Sequence, residues 1–122
     1  MIRKDRRSDL KIGLPFLDSD NIPTYPPYSF KLEFFTNENC KKVASAVYNS
    51  VTNTYTTKDC FFKEISYTNI PGNKPILVVP LNKPNFQPGR LKCVIYVYMA
   101  DTEFSDNEQT TVKEMSTNIT II

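Results

Sequence analysis

Histidine is absent from this sequence, and with it go the Ser-His-Asp and Cys-His pairs, the HExxH zinc site and any imidazole general base. Glycine is scarce: Gly13, Gly72 and Gly89 are the three, none near another, which excludes a P-loop or a dinucleotide-binding turn. Cysteine is scarce too. Cys40, Cys60 and Cys93 form an odd set without a CxxC pair, so neither a complete disulfide framework nor a zinc ribbon fits. A reactive thiol is one reading of them; small buried hydrophobes in a reduced chain is the favoured one, because Cys93 lies inside an apolar alternation. Long hydrophobic runs are missing, those present falling far short of a membrane span, so no membrane helix is expected. The charged start, Met1 to Asp9, is not followed by the apolar stretch of a secretory signal, and synthesis in a cytoplasm is expected. With 15 basic and 13 acidic side chains the net charge of +2 is too near balance to announce a nucleic-acid or membrane partner.

What is present is β-forming: eight Phe, seven Tyr and many β-branched residues in 122 positions, the length of one ordinary domain. The chain divides in two by composition. Residues 1–27 carry Arg3, Lys4, Arg6 and Arg7, a short apolar patch from Ile12 to Leu17, and Pro15, Pro23, Pro26 and Pro27. Proline fixes φ and removes a donor, so this stretch reads as an extended basic arm with a reach on the order of 90 Å. Its alternative is a solvated tail partly tucked against the rest.

Residues 28–122 have period two. Phe30, Leu32 and Phe34 share one face of the first segment; Ala44, Ala46 and Tyr48 alternate with Val43, Ser45, Val47 and Asn49 in the next. Leu91–Met99 is the clearest strand, with Leu91, Cys93, Ile95, Val97 and Met99 on one side and Lys92, Val94, Tyr96 and Tyr98 on the other. It is predicted to be central. Towards the end, Val112 and Met115 differ in parity, which predicts a bulge near Lys113–Glu114. Asn37–Asn39, Pro71–Asn73 and Pro88-Gly89 supply turns, and Asp101–Asn107 a polar loop with room for one helical turn. About seven short strands of this kind predict an all-β chain, an antiparallel immunoglobulin-like sandwich in architecture. The Cys…Trp…Cys signature of antibody domains is missing.

No residues stand out for catalysis, for a cofactor or for a metal. Asp101, Glu103, Asp106 and Glu108 are the densest acids, and they lack the glycine turn and ligand spacing of an EF-hand. Two groups qualify as interaction sites. Arg3, Lys4, Arg6 and Arg7 suit an acidic protein surface rather than nucleic acid, since no aromatic stacking residues are interleaved. Val94, Tyr96 and Tyr98 form an aromatic, charge-poor strip of the sort found at protein interfaces, and equally a candidate carbohydrate platform. Ile119–Ile122 either completes the sheet or pairs with an edge in a neighbouring subunit.

Three segments, Ser29–Thr36 (SFKLEFFT), Ile76–Asn82 (ILVVPLN) and Phe86–Glu114, resemble a small β-sandwich module of structural proteins from Bacteroides-infecting tailed phages, including crAss-like phages. The shared elements are an opening F-x-L-x-F-x-T strand, an LxVxLN-like strand, a PGxLxC turn and strand, and an acidic DxxFxD loop. Asn107 stands where that module has glycine, and such modules often open a longer fibre or baseplate protein. The resemblance implies a non-enzymatic virion protein: a capsid-surface decoration or head-fibre component, with a tail or baseplate adaptor as the alternative. Its implied partners are other capsid and fibre proteins. A homo-oligomer such as a dimer is expected, docked through the N-terminal arm.

Overall fold

The structure, a computed structural model, describes residues 2–122. Among them are nine strands and no helix: β1 (Ile2–Lys4), β2 (Leu10–Leu14), β3 (Ser29–Phe35), β4 (Lys42–Asn49), β5 (Thr54–Lys58), β6 (Phe61–Tyr67), β7 (Ile70–Leu81), β8 (Gly89–Ala100) and β9 (Glu108–Ile121). They form a six-stranded sheet, ordered β1-β9-β8-β3-β4-β5, and a three-stranded sheet, β2-β7-β6. All pairs are antiparallel except β1 with β9, where Ile2 faces Ile119 and Lys4 faces Ile121. One core lies between the sheets. Phe30, Leu32 and Phe34 of β3 and Leu91 and Cys93 of β8 meet Leu77 and Val79 of β7 there, and Phe86 closes it from the loop before β8. The expected all-β, two-sheet chain is what the residues form.

Alternation accounts for most of this. On β4 the small face turns inward: Ala46 pairs with Phe30 and Ala44 with Leu32, so small residues sit beside large ones while Val43 and Val47 face solvent. The apolar face of β8 grades from Leu91, fully buried in the core, to Met99, 45 % exposed. Between them, Ile95 and Val97 line a groove with Leu14, Phe16, Leu17 and Tyr28.

Four expectations need correction. Residues 1–27 are not a free arm. Leu10 and Ile12 are buried on β2, which pairs with β7 from Leu10↔Leu81 to Leu14↔Leu77. β1 continues the other sheet, and Pro26 lies among the fully buried side chains. The period-two pattern of Leu10–Leu14 outweighs the surrounding prolines, which stand in the connection rather than the strand. No domain boundary therefore falls at residue 27. The described residues form nine strands where about seven were expected, and sequence pattern alone does not set β1, β2 or the polar β5 apart as strands. Pro71-Gly72 is not a turn but the bulge of β7: Tyr67 pairs with Ile70 and Ser66 with Asn73, and Gly72 takes a φ of 77°. The irregularity in β9 lies not at Lys113–Glu114 but after Ser116, between the pairs Lys92↔Ser116 and Arg90↔Thr120. There Thr117 Oγ1 donates to the Leu91 carbonyl at 2.6 Å, and its own carbonyl accepts from Arg90 Nε. Val112 and Met115 simply face opposite sides.

Asp101–Asn107 forms successive turns and no helix. The Asp101 and Asp106 carboxylates accept the backbone N–H of Glu103 and Glu108, and Asn107 takes the left-handed conformation, φ 60°, that glycine or asparagine tolerates. All three cysteines are free, Cys60 and Cys93 being buried. Burial pushes the Cys93 thiol up to about 12, and burial first, then the neighbouring tyrosines, does the same for Tyr55. Both values exceed those of an unfolded chain, so stability from these groups is complete below pH 9 and lost as pH climbs from there to about 12. Urea midpoints measured against pH should fall from pH 9 upward in the native chain. In Cys93→Val the fall between pH 9 and 10 should be shallower, because the Cys60 thiol, also raised by burial, still contributes there, and it should steepen near pH 10, where unfolded tyrosine ionises.

Candidate interaction face

Val94, Tyr96 and Tyr98 are brought together on the outer face of the six-stranded sheet, all partly exposed. Strict pairing decides their neighbours. Tyr96 lies between Lys31 of β3 and Val112 of β9, Tyr98 between Ser29 and Thr110, and Val94 between Glu33 and Glu114. The Tyr96 hydroxyl donates to Glu33 Oε1 at 2.8 Å, and that hydrogen bond raises its pKa. Lys31 Nζ stands 4.3 Å from the centre of the Tyr96 ring, a cation–π distance. Lys41 Nζ reaches the same Glu33 oxygen at 3.6 Å and covers the ring of Phe35. The result is an ordered strip in which each charge has a partner, flanked by valines facing water: Val47 is 61 % exposed and Val112 56 %.

Arg3, Lys4, Arg6 and Arg7 lie elsewhere. Arg3 is level with Thr120 and through it with Arg90, six residues along β8 from Tyr96, or about 20 Å at the rise of a strand. Arg7 is engaged with Asp5, its Nε and Nη2 donating at 2.9 and 2.8 Å, and this holds the Asp5 carboxyl well below the usual range. Arg6 lines a shallow hollow with Asn85, Gln87 and Pro88. The four basic residues and the tyrosine strip are thus two sites on one protomer, not one.

Sequence reasoning missed a third feature. At the end of β8 and the start of β9, Tyr28, Tyr48 and Tyr98 meet Asp106 and Glu108 around an open hollow of about 470 Å³. Tyr48 comes from β4 and Tyr28 from the connection just before β3, and the pairing of β4 and β8 with β3 brings them beside Tyr98, so no local pattern marks them. The connection before β3 is fixed by aromatic packing: Phe16 stacks on Phe30 at 4.8 Å, and Tyr25 meets Phe62 edge-on at 5.2 Å and donates to Glu64. Cys40, in the turn after β3, stands apart from all of these.

No protein-family model matches the chain, and neither a curated protein nor a solved structure matches it.

Proposed function

We propose that this chain is a non-enzymatic structural protein of a tailed-phage virion, seated on the capsid as a decoration protein or as the base of a head fibre. The observation that carries the reading is the outer face of the six-stranded sheet. It pairs its charges internally through Lys31, Tyr96, Glu33 and Lys41 and leaves Val43, Val47 and Val112 open to solvent. A rigid, charge-satisfied face with apolar margins suits protein docking, where polar groups must already be partnered before water leaves. Docking therefore belongs to this face rather than to the N-terminal residues, which are folded into the sheets. The likeness of Ser29–Thr36, Ile76–Asn82 and Phe86–Glu114 to Bacteroides-phage modules supports the same reading.

The proposal includes a finer fold assignment, a variable-type immunoglobulin-like sandwich. The order β9-β8-β3-β4-β5 facing β2-β7-β6 corresponds to G-F-C-C′-C″ facing B-E-D, and nine strands are the number that type has. Cys93 faces the core from the F-like strand, while the B-like strand brings Leu10 and Ile12. Apolar packing stands where antibody domains have a disulfide.

Cryo-electron microscopy of the phage that encodes the chain tests the function. Density for the domain on the capsid lattice, lost when Val47→Lys is introduced, is the expected result. Density at the baseplate would favour the tail adaptor instead, and absence from purified particles would end the virion reading.

One observation favours a second class, a carbohydrate-binding module: three tyrosines and two carboxylates share the hollow beside Tyr98. Glycan-array binding lost in Tyr98→Ala but kept in Tyr96→Ala, whose hydroxyl is tied to Glu33, would support it. A silent array would remove it.

A further inference from the structure

We infer that β9 is a self-pairing edge through which two copies of this chain join their six-stranded sheets into one, with the two-fold axis at Val112. The inference is independent of the virion reading and goes beyond it. β1 covers β9 only from Ile119 to Ile121, so among the described residues no strand pairs with the outer edge from Glu108 to Ser116. Two hydrogen-bond patterns tell which backbone groups point outward there. Asp101 donates to the Asn107 carbonyl across the hairpin, so odd positions face β8. At the other end Ile122 both donates to Lys4 and accepts from Arg6, so even positions face the strand beyond. The N–H and C=O of Thr110, Val112 and Glu114 are thus aimed at an absent neighbour, an arrangement that invites strand addition.

Charge selects both occupant and register. A two-fold axis normal to the sheet keeps each face continuous only if residues of equal parity oppose one another. Centred on Thr111, such a pair sets Glu108 against Glu114; centred on Lys113, it sets lysine against lysine. Centred on Val112, it opposes Thr110 to Glu114, Thr111 to Lys113 and Gln109 to Met115, with no like charges across and about six backbone hydrogen bonds between Thr110 and Glu114. The exposed Val112 then meets its own copy, flanked on each side by Tyr96.

The same register carries the turn of one copy, with Asp101, Glu103 and Asp106, past Ser116 of the other to the level of Ile119–Ile121. There β1 begins, with Arg3 and Lys4 level with Thr120 and Ile121. The acidic turn and the basic start, at opposite ends of β8 within one protomer, become neighbours across the dimer, twice.

Sedimentation equilibrium of the full chain over a concentration series tests this. The native chain is expected to dimerise. Val112→Pro removes only an outward N–H, and it should weaken self-association by on the order of tenfold or more while leaving the thermal midpoint of the monomer in place. If that variant fails to fold, Val112→Lys reads the same contact through charge. Oxidation of a Cys40→Ser chain carrying Val112→Cys should yield a covalent dimer, and the same chain with Thr111→Cys should not. A native chain that stays monomeric, a dimer indifferent to both Val112 substitutions, or cross-linking at Thr111 in preference would each overturn the inference.

Discussion

Deleting residues 1–27 is expected to leave a chain that does not fold, rather than a docking-deficient but intact domain. The deletion removes β2, a third of the smaller sheet, and with it Leu10 and Ile12 from the core. It also removes Phe16 from the face of Phe30 and the fully buried Pro26. Each large apolar side chain withdrawn from a core forfeits about 1.5–3 kcal/mol, against a total stability of about 5–15 kcal/mol for a domain of this kind. The loss of the strand's hydrogen bonds to β7 comes on top, and β7 becomes a bare apolar edge. Circular dichroism and a thermal melt of the truncated chain are the measurement. A cooperative transition with the native β signal would mean that these residues are dispensable cover, and the two-sheet account of the core would fail.

The second large effect is expected at Phe30. Its ring is 1 % exposed, lies 4.8 Å from Phe16 and 6.3 Å from Phe62, and so ties β3 to the connection before it and to β6 in the opposite sheet. Phe30→Ala opens a cavity at a point held by three separate segments, which limits how far the walls can close. A loss of about 3–5 kcal/mol in urea unfolding is expected. Val47→Ala, on the water-facing side of the neighbouring strand, should stay within about 0.5 kcal/mol of the native chain. Comparable losses at both positions would show that the faces of the large sheet have been assigned the wrong way round.

Some of this was legible in the residues alone. Phe30, Leu32 and Phe34, and Leu91 and Cys93, stand on the buried sides that their parity announces, and β8 is an interior strand as expected. Val94, Tyr96 and Tyr98 share one face for the same reason. Other features were hidden because local pattern was the wrong guide. Thr54–Lys58 has little apolar content and becomes a strand only because β4 offers an edge. Pro71-Gly72 has turn chemistry yet sits inside a strand, since a bulge uses the same φ > 0. Phe86, fully buried, lies in a loop with no periodicity to mark it. The prolines around Leu10–Leu14 obscured a five-residue alternation too short to stand against them.

The sequence by itself determined that this protein is built of strands, which faces of those strands shun water, and that imidazole and glycine-loop chemistry lie outside its means. Side-chain parity and composition are local properties, and period-two patterns carry them without reference to the rest of the chain. Only the tertiary structure decided which strand lies beside which. That choice sets β1 in one sheet and β2 in the other, gathers three tyrosines and two carboxylates around one hollow, and leaves Glu108–Ser116 of β9 without a partner on its outer edge among the described residues. Pairing between distant segments is set by long-range burial and shared hydrogen bonds, and no stretch of ten residues contains either.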